Sequence, residues 1–118
     1  MLSIKVTDSD VTIVRLRADL AIDSRATTAW ELDRLLSVVR RSPVVLELSD
    51  DPVSPAAVST VIRANRMCRD SGIPLAVVAR SPEARRAVAA GSGVDVPDIH
   101  EALGVAVAAL TASAPVAA

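Results

Sequence analysis

Few side chains in this sequence are of a type and spacing that could do chemistry, and they are scattered. Ser54 stands before Pro55 and an apolar run, where a serine caps a helix start with its hydroxyl. Asp50-Asp51 precede it and read as a solvated turn or as extra negative charge on the same loop. Cys68 is the single cysteine, so an internal disulfide and a cysteine-based zinc cluster are excluded. It falls on the apolar stripe of its segment and reads as a small core hydrophobe, since a redox role needs an exposed thiolate of low pKa. His100 has no second histidine and no cysteine nearby, so no metal site is expected. Gly91-Ser92-Gly93 lacks both the spacing and the preceding strand of a phosphate-cradling loop. No Ser-His-Asp set or carboxylate pair follows from local spacing. Neither an enzyme nor a cofactor is expected.

The composition narrows the partner classes. The 118 residues carry a formal net charge of −1, which gives no electrostatic footprint for nucleic acid or an anionic membrane. Apolar residues make up 51% of the chain, yet Trp30 is the only aromatic one, so there is no platform for stacking bases. No apolar run reaches membrane-spanning length, and the N-terminus lacks the charged-then-apolar order of a signal peptide. A cytoplasmic protein of one domain is the expectation, over 1–111, with a flexible tail over 112–118.

The elements that must position these residues follow from periodicity. Residues 3–7 and 11–20 alternate apolar with polar and predict two strands joined across Asp8-Ser9-Asp10 as an antiparallel hairpin. Asp23 or Ser24 caps a helix to about Arg41, with Thr28, Ala29, Leu32, Leu35, Leu36 and Val39 on one stripe. Trp30 then falls opposite that stripe, where it makes a partner or dimer contact or lies down over a neighbouring loop. Residues 44–48 predict a buried strand. Ser54-Pro55 opens a helix that buries Val58, Val61, Ile62, Asn65 and Cys68 and stops at Gly72. Its outer face carries Ser59, Arg63, Arg66 and Asp70. A strand at 75–78 and a helix opened by Ser81-Pro82-Glu83 come next. An extended piece at 94–96 and a last helix to about Leu110 follow, the latter capped by Asp98 with Glu101. The fold class is α/β: a mixed sheet, mostly parallel with an antiparallel N-terminal strand pair, and about four helices.

This order, with the wording of its segments, resembles the STAS family in its anti-sigma-factor-antagonist form. The family's second strand ends in a Leu-x-Gly-Glu-Leu-Asp phrase, where this chain has Leu16-Arg17-Ala18-Asp19-Leu20-Ala21. Its third strand is similar to Val44-Val45-Leu46-Glu47-Leu48-Ser49, and its second helix to Val61-Ile62-Arg63-Ala64-Asn65-Arg66. Gly72-Ile73-Pro74-Leu75-Ala76-Val77-Val78, Gly93-Val94-Asp95 and Glu101-Ala102-Leu103 resemble later phrases. The likeness covers nearly the whole chain and lies in the order of the pieces.

The resemblance implies a protein that binds a serine-kinase-type anti-sigma factor and so releases a sigma factor. Phosphorylation of a serine at the start of the second helix would break such a complex, because about two negative charges then enter the binding surface. The family's Asp-Ser-Ser/Thr-Gly motif is replaced here by Ser54-Pro55-Ala56-Ala57, and its acidic residue after the second strand by Ala21, flanked by Asp19 and Asp23. Control by the usual serine phosphorylation is therefore not expected, although Ser54 is the one candidate acceptor. The candidate partner-binding residues are Asp50, Asp51 and Ser54 on the loop and helix start, Ser59, Arg63 and Arg66 on the helix face that the resemblance implies, and the exposed Trp30. A homodimer or a larger signalling assembly without a sigma-related partner is the alternative.

Overall fold

Strand residues alternate between two buried faces, and this alternation fixes where the helices go. The computed structural model describes residues 3–6, 11–38 and 42–113. Strands β1 (Ser3–Val6), β2 (Thr12–Leu16), β3 (Val44–Leu48), β4 (Leu75–Val78) and β5 (Asp98–His100) form one sheet in sequential order. β1 pairs antiparallel with β2, Ile4 opposite Val14, and the other neighbours are parallel. Among the described residues there are four α-helices: α1 (Arg25–Val38), α2 (Pro55–Ser71), α3 (Pro82–Ser92) and α4 (Leu103–Ser113).

Val14, Leu16, Leu46, Leu48 and Val77 point to one face and pack against Leu32 and Leu36 of α1, Val61 and Cys68 of α2 and Val88 of α3. The intervening residues Ile13, Val45, Ala76 and Val78 point to the other face, where Ala106 and Leu110 of α4 cover them. The α/β class is as expected, with α1 to α3 on one side of the sheet and α4 on the other.

Several boundaries differ from the sequence reading. β2 ends at Leu16 rather than Leu20, because Leu20 N–H donates to Arg17 O and turns the chain. A 3-10 turn over Ile22–Ser24 precedes α1, which ends at Val38; Val39 and Arg41 lie outside the described residues, as do Thr7 to Asp10. Val58 and Ile62 are half-buried, since they face α3 rather than the sheet.

The last strand is Asp98–His100, not 94–96: Val94 is 98% exposed, while Ile99 packs against the core beside β4. Asp98 and Glu101 therefore cap no helix. Asp98 belongs to a strand, and α4 begins at Leu103 after them. α4 reaches Ser113, so the first two residues assigned to the tail are helical, and 114–118 lie outside the described residues.

Candidate functional site

The carboxyl ends of β2, β3 and β4 carry the only dense polar network seen among the described residues. Alternation puts Arg15 and Glu47 on the α4 face beyond the apolar rows, directly opposite each other in register. Arg15 Nε donates to Glu47 Oε1 at 2.8 Å. Beyond the strand ends, Arg17 holds Asp19 in a bidentate pair and reaches Asp51 at 3.4 Å. The Arg17 guanidinium keeps the Asp19 carboxyl below the usual aspartate range. Asp50 faces Arg80 at 3.5 Å, both side chains well exposed. Arg15, Arg17 and Arg80 share with Glu47, Ser49 and Asp50 an open cavity of about 360 Å³. Carboxyl ends of strands are where open α/β sheets place ligands. Here, however, the cations are already matched by carboxylates.

Backbone bonds tie the two loops of this rim together. Ser49 N–H donates to Leu16 O, and Ser54 N–H donates to Ala18 O at 2.7 Å. The Ser49 hydroxyl accepts from Ala18 N–H and donates to Asp51 Oδ2. Ser49 was missed in the sequence, where it reads as the residue after a buried strand; its position one step past β3 was the available signal.

Ser54 is the N-cap of α2, as its place before Pro55 predicts: its hydroxyl accepts from Ala57 N–H at 3.1 Å. The same hydroxyl donates to Leu20 O at 2.6 Å. Its one proton is thus committed to the neighbouring loop, and the group is half-buried.

The other candidates lie along the helices. Ser59 and Arg63 of α2 line a groove of about 320 Å³ between α1 and α2, together with Arg25, Ala26, Ala29 and Thr60. Arg63 makes a two-point ion pair with Asp33 of α1 and holds that carboxyl below its ordinary range. Arg66 is exposed further along the same face of α2. Trp30 is 59% exposed on the outer face of α1, with the Arg34 guanidinium 4.9 Å from its ring centroid. Nearby in sequence Ile22, which precedes the helical stripe, is 75% exposed. Asp50, Asp51 and Ser54 thus gather at the strand ends, whereas Ser59, Arg63 and Trp30 gather at the helix pair.

Cys68 is buried in the core, and burial pushes its thiol up to about 11. His100 lies in β5, where its carbonyl accepts from Ala79 N–H. Among the described residues no group of three or more His, Cys, Asp or Glu comes together to hold a metal, and no helix is long and apolar enough to cross a membrane.

No family model matches the chain, and no curated protein matches it. Among solved structures the chain is similar to the NMR structure of the protein TM1081, with a TM-score of 0.69 over 92% of this chain and 86% of that one. The two are 19% identical, so what they share is the fold.

Proposed function

We propose that this is a cytoplasmic anti-sigma-factor antagonist of the STAS type, a binding protein that occupies a serine-kinase-like anti-sigma factor and so frees a sigma factor. Support comes from the scaffold phrases in their order along the chain, and from the rim where the β3–α2 loop meets the start of α2. The observation that carries the reading furthest is Ser54. Its hydroxyl both accepts from Ala57 N–H and donates to Leu20 O, and no further serine or threonine occupies residues 55–58. The helix start thus holds its one hydroxyl in two hydrogen bonds. On this reading the complex forms without a serine switch.

The test mixes the protein with a purified complex of a kinase-type anti-sigma factor and its sigma factor, with ATP present. Release of the sigma factor, with no added phosphate mass on the antagonist, is the expected result. A stoichiometric phosphate that Ser54→Ala abolishes would make Ser54 the switch, and failure to bind any such anti-sigma factor would remove the reading.

The exposed Trp30 favours a second reading, a self-associating scaffold with no sigma-related partner. Sedimentation of the wild type beside Trp30→Ala separates the two, since this scaffold must dissociate when the indole is removed and the antagonist need not self-associate.

A further inference from the structure

The groove between α1 and α2 has a chemistry of its own. Its floor is made of the small side chains Ala26, Ala29 and Thr60, which let an incoming side chain approach close to the helix backbones. The only charged residues lining it are Arg25 and Arg63. Arg25 has no ion-pair partner among the described residues. Arg63 is anchored to Asp33 through Nε and Nη2, which leaves Nη1 for another acceptor. Trp30 stands on the outer face beside the groove, and Arg34 over its ring adds a third cation. Glu31, the remaining acid on α1, projects about 200° around the helix from Ala29 and so faces away.

We propose that this groove seats an acidic amphipathic helix of the protein's partner. Apolar side chains of that helix at i, i+4 and i+7 fill the floor and cover Trp30, while its flanking carboxylates meet Arg25 and Arg63. Tryptophan and arginine are the residue types that dominate binding energy at such contacts. A second copy of this chain is a poorer occupant, because a two-fold contact through the groove brings cationic rims together. The proposal rests on the reading of the chain as a partner-binding protein, and it adds where the partner sits and what charge it carries.

Trp30 is the sole fluorophore of the chain, so its emission reports directly on this surface. The full chain is titrated with a synthetic helical peptide of about 18 residues, carrying leucines at the anchor positions and glutamates on both flanks. A twin has lysine in place of every glutamate. The acidic peptide should shift Trp30 emission to the blue and move the amide resonances of Ala26, Ala29 and Ser59. Arg25→Glu and Arg63→Glu should each weaken it by about tenfold or more, and the double variant should prefer the lysine twin. Wild-type far-UV circular dichroism and a cooperative unfolding transition check that the variants stay folded, Arg63→Glu giving up its pair with Asp33.

Equal binding of both twins, no binding of either, or resonance shifts confined to the strand-end rim would overturn the proposal. So would self-association of the free chain that Trp30→Ala abolishes, which would make a second copy the occupant. The outcome is separable from the functional reading. An anti-sigma factor that binds the double variant as well as the wild type leaves that reading standing and removes the groove. Binding of the acidic peptide by a chain that ignores every anti-sigma factor does the reverse.

Discussion

The Ser54 hydroxyl lies 2.6 Å from Leu20 O and donates its proton there, so the cap of α2 is also a fastener for the loop that leaves β2. Losing the cap costs about 1 kcal/mol, and leaving the Leu20 carbonyl without that donor adds roughly another 1 kcal/mol. Ser54→Ala should therefore lower unfolding stability by about 1–2 kcal/mol. Ser54→Thr keeps donor and acceptor and should stay near the wild type. Ser54→Asp keeps only the acceptor and sets a carboxylate against the Leu20 carbonyl, so it should be no more stable than Ser54→Ala. Urea unfolding followed by far-UV circular dichroism ranks the series. An aspartate variant as stable as the wild type would mean that the loop tolerates negative charge there.

Gly91 on α3 sets how closely that helix approaches α2. A Cβ at this position would lie 2.7 Å from Val58 Cγ1 and 3.3 Å from Ile62 Cδ1. Val58 is β-branched and has little rotamer freedom on a helix, so it yields poorly. Alanine gains about 1 kcal/mol of helix propensity over glycine, while overpacking typically costs about 1–3 kcal/mol. Gly91→Ala should on balance destabilise the protein. Adding Val58→Ala opens the space, so the double mutant should be more stable than the sum of the two single changes predicts. A thermodynamic cycle from chemical denaturation measures that coupling.

Most of this fold is legible because its signals are local. Ser54-Pro55 and Ser81-Pro82 fix two helix starts, Gly72 in the left-handed region at φ 69° ends one of them, and apolar runs mark β3, broken only by Glu47, and β4. The last strand was misplaced because Val94-Asp95-Val96 has the better strand composition. What holds that segment is tertiary: Asn65 Nδ2 donates to Asp95 O at 2.9 Å and Arg69 pairs with Asp95, which fasten the turn to α2. The short piece Asp98–His100 instead supplies the partners that β4 needs. The candidate site was legible residue by residue and not as an arrangement. Asp33 and Arg63 lie thirty positions apart, and no spacing rule joins them.

The pair between Asp33 and Arg63 gives a pH signature with a defined sign. The guanidinium lowers the Asp33 pKa below its unfolded value, so the stabilisation is complete above the ordinary aspartate range and is lost as pH falls through the folded value. Arg63→Ala should move the carboxyl titration of Asp33, followed by NMR, up toward the ordinary range. Both partners are partly solvated and screened, so global stability should change little. An unmoved titration would show that the two-point contact does not persist in solution.

Cys68 should behave as part of the core rather than as a reagent. Its side chain is buried among the apolar residues beneath α2, and burial alone raises its thiol to about 11. A thiol whose pKa is higher folded than unfolded favours the native state fully below the unfolded value. That advantage is then lost as pH rises toward the folded value. Stability should consequently fall between about pH 9 and pH 11, and Cys68→Ala should remove this part of the alkaline decline at the cost of a small cavity. Below that window a thiol-specific reagent should modify Cys68 only as fast as the protein opens. The labelling rate measured with increasing urea should therefore rise with the unfolded population. Rapid labelling in the absence of denaturant would place the thiol at the surface.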